Sequence, residues 1–411
     1  MSESVQKPRI RFKGFSDAWE QRKFEDAFIE RREKTVTENE DTLLSCAING
    51  MFLNSELFGH FRGTTTIGYL KVKKNDLILS AQNLHLGNAN VNLRFEHGII
   101  SPAYKVYDLN NCKPEFVQAW VKKEDTKNFF LAATTEGASQ CRKNIEWDTL
   151  GKQTICMPAI KEQATIGSFF KCVDNLITLH QRKYDKLVAV KKALLEKMFP
   201  ADDETVPKIR FKGFSDAWEQ RKLSELTSMH ARIGWQNLRT SEFLNNGEYM
   251  LITGTDFDDG AINYSTCHYV DRERYEQDKN IQIRNGSILI TKDGTLGKVA
   301  YVQGLSMPAT LNAGVFNVQI KASNLVDEKY LFQYLKAPYL MDYVGKKATG
   351  GTIKHLNQNI LVDFPIFMPK KSEQIMIGAY YQLLDNLITL HQRQLEKLKN
   401  IKSALLEKMF V

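Results

Sequence analysis

The chain has 411 residues, which is long enough for two or three domains that each bury a core. Its hydrophobic fraction of 43% and charged fraction of 25% are those of a globular protein and exclude a disordered or collagen-like chain. The net charge of +8 permits a polyanionic partner without indicating one. Because no apolar run is long enough to span a bilayer and the N-terminus has no apolar leader, we expect a cytoplasmic protein with no membrane partner.

The six cysteines form no CxxC pair and no cysteine/histidine spacing that suits zinc. Reduced structural thiols and no metal site are therefore expected. The chain also lacks HExxH, GxSxG, Walker A and acidic-aromatic methyltransferase motifs, and its scattered carboxylates do not repeat. These patterns predict a chain that reads a partner without catalysing a reaction.

A first duplicated block marks the start of each half. The sequence IRFKGFSDAWEQRK at residues 10–23, which we call the box, recurs letter for letter at 209–222. Two phenylalanines around Gly14 predict a turn, and residues 17–20 predict the opening of a helix with Ser16 or Asp17 as its N-cap. We interpret the box as a docking strand and short helix that seal a domain edge, with a surface for a partner protein as the alternative.

The stretches that follow the two boxes differ in sequence but share a pattern. Strand-type runs at 71–80 and 99–107 precede helical spacing at 116–133 in the first half, and runs at 287–291 and 298–302 precede a helix at 328–343 in the second. Residues 76–88 align with 287–298, and a small polar loop at 134–144 corresponds to one at 348–357. These correspondences predict two diverged copies of one α/β fold.

The aligned polar segments are the candidate DNA-binding sites. Their Gln, Asn, Ser, Thr, Arg, Lys and His side chains can hydrogen-bond to base edges and phosphates, and glycines allow close approach of the backbone. The candidates are Gln82, Asn83, His85, Asn88, Ser139, Gln140, Arg142, Lys143, Lys292, Thr295, Lys298, Gly350, Gly351, Thr352, Lys354 and His355. The alternatives are ordinary solvated loops and, for residues 292–298, a tight turn between strands. Residues 292–298 are no P-loop, because Val299 follows Lys298 where a P-loop has Ser or Thr.

A second duplicated block closes each half. Residues 174–199 and 385–410 share DNLITLHQR and ALLEKMF and contain no Gly or Pro. Steps of four and three residues, the heptad rhythm, predict a coiled coil of two helices. The predicted seam comprises Ile177, His180, Tyr184, Leu187, Leu194 and Met198, and Ile388, His391, Leu395, Leu398, Leu405 and Met409. Lys191 and Lys402 also fall on the seam, where they are expected to help fix the register.

Taken together, the box, the paired DNLITLHQR and ALLEKMF helices, the DGTLGK turn and the P…EQ entry to each helix resemble the specificity subunit of type I restriction–modification enzymes. The resemblance implies two α/β target recognition domains in pseudo-twofold repeat, separated by two long antiparallel coiled-coil helices. The corresponding division is 1–157 and 201–368 for the recognition domains, and 158–200 and 369–411 for the helices.

The resemblance further implies that the chain reads a bipartite, asymmetric site in double-stranded DNA. Its partners would be two modification (methyltransferase) subunits and two restriction (motor-nuclease) subunits. S-adenosylmethionine, ATP and Mg are expected on these partners, and this chain would bind no cofactor. Three alternatives remain: a coiled-coil scaffold that bridges enzymes without touching DNA, an enzyme acting on nucleotides through residues 292–298, and a half-functional subunit that homodimerises.

Overall fold

A computed structural model describes residues 7–59, 63–139, 142–201, 204–234, 237–347 and 355–411. Contacts group the chain into two compact units. Unit 1 contains residues 1–182 and 392–411, and unit 2 contains residues 183–391. Each unit therefore combines the globular residues of one half with parts of both long helices.

Unit 1 is built from short strands and helices that lead into the first long helix. Its strands are β1 (Glu20–Lys23), β2 (Phe28–Arg31), β3 (Leu44–Ala47), β4 (Gly50–Leu53), β5 (Leu70–Lys73), β6 (Leu77–Ser80), β7 (Ala89–Val91), β8 (His97–Ile100), β9 (Tyr104–Leu109), β10 (Thr134–Ser139), β11 (Arg142–Ile145) and β12 (Thr154–Met157). Its helices are α1 (Phe24–Ala27), α2 (Asn54–Leu57), α3 (Pro114–Trp120), α4 (Glu124–Leu131), α5 (Trp147–Lys152) and the beginning of α6 (Ile160–Lys197).

Unit 2 follows the same plan. Its strands are β13 (Glu219–Lys222), β14 (Thr227–His230), β15 (Tyr249–Ile252), β16 (Phe257–Asp258), β17 (Ala261–Ile262), β18 (His268–Val270), β19 (Gln282–Ile283), β20 (Ile288–Thr291), β21 (Val299–Tyr301), β22 (Ala309–Leu311), β23 (Val315–Ile320) and β24 (Pro365–Met368). Its helices are α7 (Leu223–Leu226), α8 (Arg272–Glu276), α9 (Glu328–Lys336), α10 (Tyr339–Lys347), α11 (Gln358–Leu361) and the beginning of α12 (Lys371–Met409).

Both units contain the same four-stranded antiparallel sheet. The strand order is β2-β9-β6-β7 in unit 1 and β14-β23-β20-β21 in unit 2. The inner strands β6 and β20 are fully buried, as their Leu/Ile runs predict. The alignment of residues 76–88 with 287–298 is thus confirmed, since β6 and β20 hold the same place in their sheets. Unit 1 also contains the two-stranded sheet β5-β8, and unit 2 contains the four-stranded sheet β18-β15-β22-β19. A short connection joins β8 to β9 and β22 to β23, so each of these sheets leads into the sheet that the two units share.

The residues of the predicted seam lie on the less exposed side of the two long helices. Every seam residue is buried or half-buried, whereas most residues between them are exposed. In unit 1 the Lys402 ammonium lies 2.5 Å from the Asp174 carboxylate, and Phe410 packs beside Phe170. In unit 2 Lys191 pairs with Asp385, and Phe199 stacks on Tyr381. In both units, residues further along α6 contact residues earlier in α12, so the two helices pair in antiparallel orientation. No helix in the described residues has the length and hydropathy to cross a bilayer.

The box docks as a strand, and its predicted helix at residues 17–20 is wrong. Glu20 begins β1, which pairs with β12 in antiparallel register, and the helix starts only at Phe24. The second copy repeats this arrangement with β13 and β24. The capping pattern is overridden because the backbone of residues 20–23 bonds to a neighbouring strand and Trp19 is buried in the core. The docking strand of the box is confirmed, in both copies.

Each shared helix end packs against a box. In unit 1 the ring of Phe410 lies 6.1 Å from that of Trp19, and the Ile10 N–H donates to the Lys408 carbonyl at 2.9 Å. In unit 2 the same contacts join Phe199 to Trp218 at 6.4 Å and Ile209 to Lys197 at 2.9 Å. The ALLEKMF block of one half therefore seals the box of the other half in each case. This reuse of one packing solution explains why both blocks occur twice without change.

Candidate nucleic-acid interface

The candidate residues of unit 2 lie where several strands end together. Strands β15 and β22 run parallel, so their C-terminal residues Ile252 and Leu311 are neighbours. The same edge receives the end of β20 at Thr291 and the start of β23 at Val315, which are paired. We call this border the strand-end edge. Its connections carry polar side chains, because strand ends leave the packed core and enter solvent.

The segment 292–298 forms a tight turn between β20 and β21 on this edge. The buried Thr291 closes it: its hydroxyl donates to the Thr295 carbonyl and accepts from the Lys298 N–H at 2.9 Å. Gly294 and Gly297 both have φ of +72°, which a side chain would strain. The interpretation as a turn is confirmed, and the turn presents Thr295 and Lys298 to solvent. Lys292 is half-buried, with its ammonium 5.6 Å from the centre of the Phe316 ring.

The structure brings this turn together with the end of the second polar loop. The Leu356 N–H donates to the Lys292 carbonyl at 2.8 Å, and the Nδ1 of His355 lies 2.6 Å from the Asp293 carboxylate. The His355 side chain is 71% exposed, so its ring reaches solvent while one nitrogen is held. Gly350, Gly351, Thr352 and Lys354 lie outside the described residues.

In unit 1 the end of β6 at Ser80 pairs with the start of β9 at Tyr104, which gives the equivalent strand-end edge. The corresponding candidates lie there, between β6 and β7. Gln82 and Asn83 are exposed, and His85 is half-buried on a single 3-10 turn, Leu84–Leu86. The prediction that Asn88 contacts DNA is wrong, because this residue is only 6% exposed and its side chain cannot reach DNA. Its amide donates to the Cys46 carbonyl at 3.2 Å, and its Oδ1 accepts from the Cys46 thiol at 3.3 Å. Burial raises the pKa of that thiol to about 11, which keeps it protonated as a donor.

The predicted polar loop at 134–144 is instead a β-hairpin. Strand β10 pairs with β11 in antiparallel register, with Thr135 opposite Asn144 and Glu136 opposite Lys143. Lys143 is half-buried. Ser139 and Arg142 belong to the two strands, but their side chains, like the whole of Gln140, lie outside the described residues. The β-branched threonines at the start of β10 favour the strand conformation over the expected loop.

One cavity in unit 1 is lined in part by charged groups that already have partners. It has a volume of about 770 Å³ and lies beside Lys122, Asp174 and Lys402. Asp174 pairs with Lys402, and the Lys122 ammonium donates to the carbonyls of Ile48 at 2.7 Å and Ala89 at 2.9 Å. Burial lowers the pKa of Lys122 to about 8. The described residues contain no cluster of three or more potential metal ligands, and the five described cysteines are unpaired with one another.

Sequence reasoning missed one buried cation that supports the edge. Arg232 is 2% exposed, and its guanidinium donates to the Leu311 carbonyl at 3.0 Å and to Gln277 at 3.1 Å. Burial lowers its pKa, although the group stays charged. Nothing in the pattern of the surrounding loop distinguishes this arginine from its exposed neighbours, because its partners are distant in sequence.

Comparison with known proteins supports the interpretation of this edge as a DNA-binding site. Residues 215–400 match the family model of the type I restriction modification DNA specificity domain. The chain is 21% identical over 82% of its length to the type I restriction enzyme MjaVIII specificity subunit of Methanocaldococcus jannaschii, covering 80% of that protein. It is 22% identical over 87% of its length to the putative MjaX specificity subunit of the same organism, covering 77% of it.

Among solved structures, the crystal structure of a type I restriction–modification S subunit from M. genitalium shares the fold with a TM-score of 0.60. The identity is 14%, and the alignment covers 98% of this chain and 99% of the other. A chain from a study of complex assembly in a type I system aligns with a TM-score of 0.52 and 16% identity, over 95% and 97% of the two chains.

The second repeat is therefore a DNA specificity domain, and the first repeat contains the same four-stranded sheet. Residues 215–400 thus belong to the type I restriction modification DNA specificity domain family, and the chain is similar over more than four fifths of its length to type I restriction enzyme specificity subunits.

Proposed function

We propose that this chain reads a bipartite, asymmetric DNA site, with one half-site assigned to each unit. The observation that supports this most strongly is the shared strand-end edge. Gln82 and Asn83 in unit 1 and Thr295 and Lys298 in unit 2 are exposed on equivalent connections of equivalent sheets. The two sheets and their connections are equivalent, whereas the exposed side chains on them differ. Two half-sites of different sequence require different side chains to read them.

The edge supplies both kinds of contact that DNA recognition uses. Lys298 is an exposed cation that can neutralise a phosphate, giving affinity without sequence preference. Gln82 and His355 carry hydrogen-bonding groups that can address base edges. The hydrogen bond between His355 and Asp293 orients the imidazole, so its other nitrogen is presented in one direction.

The chain would serve as the non-catalytic subunit of a DNA adenine methyltransferase and endonuclease complex. Two modification subunits and two restriction subunits are its proposed protein partners, with S-adenosylmethionine, ATP and Mg bound by those partners.

The repeated helices offer a docking surface for two copies of one partner. Leu179 is 46% exposed and Leu390 is 49% exposed, and they are the same residue of the DNLITLHQR block in its two copies. Neither belongs to the seam, so their apolar character does not serve the helix pair. An identical exposed leucine in each unit suits an identical subunit bound to each, and the modification subunit is the partner expected twice.

The DNA assignment is tested on the complex assembled with its modification subunits. Lys298→Ala is expected to weaken binding to cognate and scrambled duplexes alike and to lower the slope of log K against log salt by about 1. Gln82→Ala and His355→Ala are expected to lower discrimination in one half-site each. Competition binding across a salt series measures all three. A complex with no salt-dependent DNA binding would instead indicate the scaffold that bridges enzymes without touching DNA.

The docking surface is tested by placing a charge on it. Leu179→Glu and Leu390→Glu are each expected to reduce the number of bound modification subunits from two to one, and the double variant to bind none. Native mass spectrometry counts the subunits. Val36→Glu, at an exposed apolar residue outside the helices, is the control and should retain both. Full assembly by the double variant would place the docking surface elsewhere.

A further inference from the structure

A second connection reaches the strand-end edge in each unit, and no sequence pattern singles it out. Residues 101–103 join β8 to β9, and residues 312–314 join β22 to β23. The Ala103 carbonyl accepts from the Ala81 N–H at 3.0 Å, and the Gly314 carbonyl accepts from the Lys292 N–H at 2.8 Å. The two connections are therefore equivalent, and each is bonded to the residue that directly follows β6 or β20.

The first residue of each connection is held by its own side chain. Asn312 uses Oδ1 to accept from the Ala313 N–H at 2.8 Å, and its own N–H donates to the Ile252 carbonyl at 2.9 Å. Ser101 uses its hydroxyl oxygen to accept from the Ala103 N–H at 3.3 Å. Both residues are half-buried, so a bond to the backbone holds each side chain while part of the residue stays open to solvent.

These bonds also determine which polar groups remain available. Because Oδ1 of Asn312 accepts from the backbone, the amide orientation is set and its NH₂ group has no partner among the described residues. The Ser101 hydroxyl keeps its O–H for donation. Asn312 offers an amide with two N–H donors, whereas Ser101 offers a single hydroxyl donor at the equivalent position. The two residues would therefore select different acceptors on base edges.

The residue before each site is held by hydrogen bonds to its backbone. In unit 2 the buried Arg232 guanidinium donates to the carbonyl of Leu311, the residue that precedes Asn312. In unit 1 the residue before Ser101, Ile100, is paired in the ladder of β8 with β5. A donor on a fixed backbone discriminates between bases better than one on a flexible loop. A flexible loop can move to reach the acceptor of a wrong base, whereas a fixed donor cannot.

We propose that Asn312 and Ser101 are specificity-determining residues, each donating a hydrogen bond to a base edge in the half-site that its unit reads. This assignment rests on the proposed DNA-reading function. It adds to that function a second contact segment in each unit, alongside 81–88 and 292–298.

The test uses the complex assembled with its modification subunits and duplexes that carry every single base change in its methylated site. Asn312→Asp keeps the bond to Ala313 but replaces the donor group by a carboxylate, so the turn is retained. Discrimination at one or more positions of one half-site is expected to fall about tenfold or more, with the other half-site unchanged. Ser101→Ala is the matched variant and is expected to affect only the opposite half-site.

Parental discrimination at every position in both variants, with cognate DNA still bound, would overturn the assignment and leave the proposed function intact. Absence of salt-dependent DNA binding in the parental complex would instead contradict the proposed function, and this assignment with it. Loss of discrimination in both half-sites from a single variant would show an indirect structural effect and also overturn the assignment.

Discussion

Replacing Phe410 by alanine is expected to lower the free energy of unfolding by about 3–5 kcal/mol, the range for large aromatic deletions in cores. The Phe410 ring lies 5.2 Å from the ring of Phe116 and 6.0 Å from that of Phe170, and it also packs on Trp19 of the box. Removing it leaves a cavity at the point where the second long helix, the box and α3 meet. Urea unfolding followed by tryptophan fluorescence measures the loss.

The control for this prediction is Ile401→Ala, because Ile401 is an apolar residue of the same helix that is 41% exposed. It should change the free energy of unfolding by well under about 1 kcal/mol. Phe199→Ala in unit 2 should match Phe410→Ala, since Phe199 has the equivalent place beside Trp218 and Tyr381. If Phe410→Ala cost no more than Ile401→Ala, the helix end would not be a core element of unit 1.

Removing the partner of a buried lysine on the seam is expected to have a comparable effect. Lys191 is 5% exposed and pairs with Asp385, whose other oxygen accepts from the Gln333 amide at 2.9 Å. Asp385→Ala leaves the ammonium buried without its carboxylate, so a loss of about 3–5 kcal/mol is expected. Lys191→Met leaves the half-buried Asp385 carboxylate without its cation but still bonded to Gln333, so it should be destabilising by less than Asp385→Ala. The equivalent Asp174→Ala should cost less, because the Asp174–Lys402 pair is more exposed.

The pH dependence gives this prediction a second readout. Burial, with the nearby Lys336 charge second, lowers the pKa of Lys191 below its ordinary value. Between that lowered pKa and about 10.4, the unfolded chain binds more protons than the folded one, so stability rises with pH in this window. Asp385→Ala removes an interaction that raises this pKa, so the rise should be larger in the variant. A variant whose stability matches the parent at every pH would show that the pair contributes nothing.

Much of the architecture follows from the sequence because it rests on local periodicity and exact repetition. The heptad steps predict which faces of α6 and α12 are buried, and the apolar runs predict β6 and β20. The alignment of residues 76–88 with 287–298 correctly places the segments that follow β6 and β20 on equivalent connections. Gly294 and Gly297, whose backbones adopt positive φ, mark the turn in the sequence itself.

The tertiary structure decided what depends on partners distant in sequence. Residues 17–20 have the pattern of a helix start, but pairing of β1 with β12, some 130 residues away, makes the segment an extended one. Asn88 has the composition of a contact residue, but Cys46 engages its amide in the interior. Asn312 and Ser101 have no motif at all, and only the meeting of two strand layers brings them to the edge. Local patterns determine helices and strands, whereas burial and hydrogen-bond partners are set by contacts that no short stretch of sequence contains.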